Sequence, residues 1–475
     1  MERIEDSLGE LFTDLSTSGF WHDEKPLADA VMRAEPSVIL AAYREAKVKG
    51  AVDLPAFHAL WFKPVGGSEI RYSTRPNHTA LDHIEALWPH LTRPADDPAE
   101  LSTRFPLPHP YVVVGGRFQE AYYWDSYFTQ LGLLKSGRHA LVKDMLDNFA
   151  HAIRVIGHIP NGFRSYFLAR SQPPFFAQMV ADYGRAMGDR AGALAAYLPE
   201  IEAEYAYFTA PERTVDGLTR YWDAAAGPRT KMLGTDLRMA GVEAARPGYY
   251  RDLRAACESG WDFSSRWLTD PADLATIRTT HILPVDLNSL MLGIEDILAE
   301  TAPAPRADAY RVAAEARRAA IQQRFFDAER GYFFDLLADD GSSIPITTAA
   351  GFFPLWLGAA TQDQAGAVAD WATLHLLAPG GLLTSDIASG QQWDAPNGWA
   401  PLNWVAIQGL RRYGLDELAD TLRNRWLATC ETVFRSSGKF VEKYNVMAPL
   451  LPSAGGEYAL QDGFGWSNGV YLDLL

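Results

Sequence analysis

The sequence predicts an all-α fold, a single closed domain of helices, and three observations carry that expectation. Apolar residues recur at three-and-four spacing through most of the long segments, while sustained apolar/polar alternation is scarce. Loops dense in Gly, Pro, Trp and Tyr separate those segments, and they are spread from about residue 117 to residue 469. Linkers are usually polar and flexible, whereas these loops carry aromatics, arginines and carboxylates, the groups found where loops on a rigid scaffold build a site. One closed helical domain accounts for so wide a spread more economically than several independent ones.

The elements follow in chain order. Residues 1–110 are expected to form an N-terminal arm that ends in the proline-rich stretch Leu91–Pro110 and wraps a helical barrel over residues 111–475, the two together making one domain. Helical periodicity then runs through Phe128–Ile156, Ala191–Phe208, Tyr249–Cys257 and Leu287–Glu300. In Ala307–Phe326 the residues Tyr310, Val312, Ala313, Ala316, Ala320 and Ile321 recur at helical spacing with Arg and Gln between them. Asp363–Leu377 continues the pattern. In Leu415–Phe434 the stripe Leu415, Leu418, Leu422, Trp426 and Val433 faces inward, and Asp416, Asp420, Arg423 and Arg425 take the wet side.

Composition narrows the function. With 48% hydrophobic and 21% charged residues in 475, there is enough apolar material for a large core. Forty-three basic against fifty-nine acidic residues give a formal charge of −16, which repels nucleic-acid phosphates and anionic lipid headgroups. The two cysteines, Cys257 and Cys430, cannot build a disulfide framework and are expected as buried free thiols. No stretch approaches the length of apolar sequence that crosses a membrane. The acidic start lacks the basic and apolar regions of a secretory signal, so the expectation is a soluble, cytoplasmic protein acting as a monomer.

Fourteen tryptophans stand in suggestive company: Trp124 beside Asp125, Trp261 beside Asp262, Trp393 beside Asp394, and Trp466 beside Ser467 and Asn468. Aromatics more often fill cores. Yet sugars present apolar C–H faces rimmed by hydroxyls, and flat rings interleaved with carboxylates, amides and guanidinium groups suit them. Competing chemistries lack their parts. Gly465–Gly469 matches the G-x-S-x-G nucleophile elbow, but that fold needs a later histidine and the last one here is His375. Eleven histidines show no metal-ligand spacing, and phosphate-binding glycine loops are missing. Paired carboxylates remain, the requirement of glycoside hydrolysis. Spacing alone does not choose among fifty-nine acidic residues, most of which belong to solvated faces.

At this point particular residues resemble the trehalase family. Gly115–Tyr127 looks like the first trehalase signature, with Val114 where the family has Pro, and Gln392–Pro401 matches the second throughout. Two long patterns in the right order are far more specific than one short motif. His158–Gly162, Arg170–Phe176, Ser259–Trp267, Glu442–Tyr444 and Gly456–Tyr458 are further likenesses. The resemblance implies an (α/α)6 barrel with its site at one end, no cofactor, no metal, and inverting hydrolysis of the disaccharide α,α-trehalose. It assigns the general acid to Asp262 and the general base to Glu442. It places Arg117, Phe118, Tyr122, Trp124, Asp125, Asn161, Arg170, Gln172, Arg229, Gly260 and Glu457 around two sugar subsites.

Two departures stand out. Arg229-Thr230-Lys231 occupies the place of the family's Arg-Pro-Glu, so a sugar-binding carboxylate is replaced by a lysine. Lys231 is expected either to turn away and pair with an acidic neighbour or to bind substrate. After Tyr444 the family continues with Asp and glycines, whereas this chain has Asn445–Ala454, a lid with the prolines Pro449 and Pro452 and less backbone freedom. Two alternatives stay open: a related inverting glycosidase acting on another α-glucoside, and a sugar sensor without turnover.

Overall fold

The computed structural model describes residues 3–475 apart from 22, 51, 64–71, 73, 75, 76, 241–245, 454, 458 and 459. Among the described residues, twelve helices build two concentric rings. In chain order they are α1 (Ala80–Leu91), α2 (Tyr123–Lys135), α3 (His139–Ile156), α4 (Phe176–Ala186), α5 (Leu198–Phe208), α6 (Val285–Thr301), α7 (Arg306–Ala320), α8 (Phe353–Trp356), α9 (Gln362–His375), α10 (Ala400–Arg412), α11 (Asp416–Ser437) and α12 (Gly465–Leu474). Helices α2, α4, α6, α8, α10 and α12 contact one another in sequence and close when α12 packs on α2. The other six lie outside them, so the (α/α)6 barrel expected from the resemblance is the fold observed.

Each ring follows from its pattern. Inner helices are buried nearly all round: in α6 every residue from Val285 to Leu298 except Asp296 is buried. Outer helices carry one buried stripe, Val142, Met145, Leu146, Phe149 and Ile153 in α3, at the spacing of a helix packed on one face. The short α8 begins from the tight turn Ala349–Phe352. Close approach explains two inner glycines. A Cβ at Gly132 of α2 would lie 2.6 Å from Gly469 of α12, and one at Gly469 would lie 2.1 Å from the carbonyl oxygen of Phe128.

Two expected helices are in fact pairs. Phe128–Ile156 breaks at Ser136–Arg138, where Gly137 takes φ +69°. Ala191–Phe208 breaks at Tyr197, ahead of Pro199 in the first turn of α5. The face expected in Ala307–Phe326 ends with α7 at Ala320 and a wider turn over Ile321–Phe325. In α11 the innermost positions are Ala419, Leu422, Trp426, Cys430 and Phe434, with Leu415, Leu418 and Val433 half-buried beside them.

Before α1 the chain runs through the helices Glu10–Thr17, Lys25–Asp29, Pro36–Val48 and Leu54–Trp61. It is fastened to the barrel by a buried charge network. Lys25 Nζ lies 2.5 Å from Asp29 Oδ2 and 2.8 Å from Glu120 Oε1, and Arg164 Nε lies 3.1 Å from Asp29 Oδ1 and 3.3 Å from Glu120 Oε2. Although burial alone would raise the Glu120 carboxyl, the two cations hold it far below the usual range. Glu24, also buried, accepts from the backbone N–H groups of Gly234 and Thr235 at 2.7 and 2.8 Å and so caps the helix Leu233–Ala240.

Candidate active site

The inner helices all run the same way, and a cavity lined mostly by residues at or just before the N-terminal ends of α2, α4, α10 and α12 opens at that end of the barrel. Phe118 and Tyr122 enter it from the turn before α2, and Trp124 and Asp125 from the first turn of that helix. Asn161, Arg170 and Gln172 come from the stretch between α3 and α4, Gly260 and Asp262 from the loop after the helix Tyr249–Glu258, and Glu442 from the segment between α11 and α12. Thus ten of the thirteen residues implied by the resemblance line one cavity, both proposed proton-transfer groups among them.

The backbone around Asp262 is fixed from several sides. Gly260 adopts φ +76°, and a Cβ there would lie 2.7 Å from the Trp124 ring, so its contribution is the close approach of that tryptophan. Two residues past Asp262, the hydroxyls of Ser264 and Ser265 donate to the buried Asp394 at 2.8 and 2.9 Å, and Ser265 N–H donates at 2.7 Å. Gln392 joins the two proton-transfer segments: its amide donates to the main-chain oxygen of Asp262 and accepts from Lys443 Nζ at 2.7 Å. On the Glu442 side, the strand Tyr444–Asn445 pairs antiparallel with Asn397–Gly398, and Trp466 Nε1 donates to the Glu442 carbonyl at 3.0 Å. Trp393 stacks on Trp399 with ring centres 3.7 Å apart and on Trp261 at 5.5 Å.

Burial raises two of the cavity's carboxyls. Burial pushes the Asp262 carboxyl above its usual range, and Lys231 pulls it back in part. Asp125 is raised much further by burial, reinforced by the charges of Glu442 and Asp262. Among the described residues, neither Asp125 nor Asp262 has a cation within ion-pairing distance. Arg170 extends Nη1 to the buried Asp223 at 3.1 Å, and the Tyr122 hydroxyl donates to Glu120 at 2.8 Å, tying the cavity wall to the arm network.

Arg117, Arg229 and Glu457 stand behind this lining. Arg229 is held by two carboxylates, with Nη2 at 2.6 Å from Asp236 Oδ1 and 2.8 Å from Glu457 Oε1. Arg117 Nη2 lies 2.5 Å from Asp23 Oδ1 in the arm. Tyr458 and Ala454, which belong to the expected motif and lid, lie outside the described residues.

Lys231 does not turn away as one of its two expected outcomes required. It lines the cavity with Nζ 5.3 Å from the centre of the Phe167 ring and, among the described residues, has no carboxylate within ion-pairing distance. The cause is local: Asp236, the nearest acidic residue along the chain, is already taken by the side chain and N–H of Arg229.

Other lining residues were missed. Gln392 and Trp399 sit inside the second signature, so their position in it was the available signal; Trp466 had its polar neighbours, and Cys257 had none. Ser467 of the G-x-S-x-G match is buried in α12 and donates to the Val441 carbonyl at 2.6 Å, with no triad around it. Among the described residues no group of three or more His, Cys, Asp or Glu side chains could hold a metal ion, and no helix is long and apolar enough to cross a membrane.

A double-ring helical barrel with aromatic residues and paired carboxyls gathered at one end has the parts that a glycoside hydrolase needs. The chain belongs to the trehalase family: the family's model, Trehalase, matches residues 68–475. It is 46% identical to a periplasmic trehalase of Pseudomonas aeruginosa over 98% of this chain and 89% of that one, and 45% identical to one of Escherichia coli over 98% and 86%. Among solved structures it resembles the neutral trehalase of Saccharomyces cerevisiae, with 26% identity, TM-score 0.65 and coverage of 84% and 79%. A mannosylglycerate hydrolase of Thermus thermophilus shares the fold at 19% identity, TM-score 0.58 and coverage of 82% and 98%.

These relatives correct one expectation. The similar bacterial proteins are named periplasmic trehalases, which overturns the cytoplasmic assignment.

Proposed function

We propose that the chain hydrolyses α,α-trehalose with inversion at one anomeric carbon. Asp262 gives its proton to the bridging oxygen as the bond from that oxygen to the anomeric carbon breaks. A water attacks the same carbon from the opposite face and passes a proton to Glu442, leaving one α- and one β-glucose. The observation that carries this reading is the raised Asp262 carboxyl in the same cavity as Glu442, since a general acid must hold its proton near working pH. Phe118, Tyr122, Trp124, Asn161, Arg170 and Gln172 would hold the glucose rings. Asp125 would hydrogen-bond a sugar hydroxyl, and Arg117 with the Arg229–Glu457 pair would support the lining from behind. The working unit is taken as one monomeric chain, which sedimentation equilibrium checks. Residues 1–110 and 111–475 are taken as one folding unit, supported by the buried Lys25–Glu120 contact.

Asp262→Asn and Glu442→Gln test the assignment. Each should fold with a normal melting curve and lose turnover by about 10²–10⁴-fold, the usual worth of one proton-transfer group. Near-normal activity in either variant removes that residue from the mechanism. Lys231 favours a second reading, a different α-glucoside as the preferred substrate, because a donor replaces an acceptor at the cavity wall. Comparing kcat/KM across a panel of α-linked disaccharides decides between them.

A further inference from the structure

Toward the opposite end of the barrel lies a second cavity of about 680 Å³, lined along α2, α4 and α10 and by the ends of α8 and α12. Part of its wall is aromatic. Tyr127, Trp356 and Trp404 pack edge to face or tilted, with ring centres 5.5–6.0 Å apart, and Trp404 Nε1 donates to Asp473 at 2.7 Å, which fixes that ring. Against these rings stand two half-buried amides, Gln178 on α4 and Gln408 on α10. Among the described residues neither amide makes a hydrogen bond. Gly293 of α6 lets the first lie close, since a Cβ there would come within 2.8 Å of Gln178 Nε2.

The charges around this cavity are already paired. Arg185 bonds to Asp182, Lys135 lies 3.6 Å from Asp473, Arg411 lies 3.3 Å from Asp420, and Arg412 donates to the Trp356 carbonyl. These basic residues also sit on the last turns of their helices, where they offset the negative ends of the helix dipoles. An anion would have to break those pairs, whereas a neutral polyhydroxylated ring would use what is unspent: the open side of the half-buried Trp356 for its C–H groups and two amides that both donate and accept.

We propose that this cavity is a second, non-catalytic saccharide site, taking a neutral mono- or disaccharide between the Trp356–Trp404 rings and the amides of Gln178 and Gln408. Glucose is the probe. In crystals of the full chain soaked with glucose, the sugar should lie in this cavity with both amides within hydrogen-bond distance. In solution, calorimetry should resolve a glucose site that survives saturation of the catalytic cavity with a competitive inhibitor. The double variant Gln178→Leu/Gln408→Leu should weaken that site about tenfold or more, as expected for losing its neutral hydrogen bonds, with kcat/KM for trehalose unchanged. Glucose found only in the catalytic cavity overturns the proposal. So does inhibitor-resistant binding that the double variant leaves intact, or displacement of glucose by inorganic phosphate, which would make this an anion site. If the double variant does not fold, Gln408→Glu is measured in its place, and the wild-type crystal result stands without either variant.

Discussion

The two ends of the barrel are built from the same inner helices and treat charge in opposite ways. At the N-terminal ends Asp125 and Asp262 face the cavity without a paired cation among the described residues, and burial raises both carboxyls. At the C-terminal ends Asp182 has Arg185 and Asp473 has Lys135, and the basic residues suit the dipole ends on which they sit. Proton transfer needs groups whose pKa has been moved toward working pH. Burial raises Asp182 as well, but Arg185 is bonded to it, whereas the first end keeps raised carboxyls without a paired cation among the described residues, so the second is suited to binding and not to catalysis.

Substitutions can break or sharpen this contrast. The largest effect is expected for Asp262→Asn, which should lower turnover by roughly 10²–10⁴-fold, while Asp182→Asn at the other end leaves kinetics near wild type. If both slowed the enzyme alike, the contrast would fail. Next, Lys25→Met should cost up to about 3–5 kcal/mol in urea unfolding, because it leaves the two buried carboxylates Glu120 and Asp29 sharing one cation, Arg164. An unchanged midpoint would show that the arm does not brace the catalytic end.

Lys231→Met tests the local field. A general acid acts while protonated, so kcat/KM falls as pH rises through its pKa. Lys231 holds that pKa down; without the cation it rises, and the alkaline limb of the profile should move to higher pH. A limb that stays or moves lower contradicts the placement of Lys231 near Asp262. The smallest effect belongs to Arg412→Ala at the opposite end, which should cost less than about 1 kcal/mol and leave the pH profile alone.

Periodicity and motif order made much of this legible. Helices such as α11 announced themselves by a stripe, and of the ten residues in one cavity four came from the first signature and six from the shorter likenesses around Asn161, Arg170, Asp262 and Glu442. What escaped notice was long-range or very short. The four-residue α8 has no room for a period. Glu24 caps a helix more than two hundred residues away, and Lys25 meets Glu120 across ninety-five, contacts that leave no local trace. Arg229 has the chemistry of a sugar ligand, but its capture by Asp236 and Glu457 exists only in three dimensions, and that capture also left Lys231 facing the cavity.

Stereochemistry tests the central claim most directly. Inversion alters only the anomeric carbon that water attacks, so proton NMR of a fresh trehalose digest, read before mutarotation, should show α- and β-glucose appearing in equal amounts. An initial product that is entirely α-glucose would contradict the account.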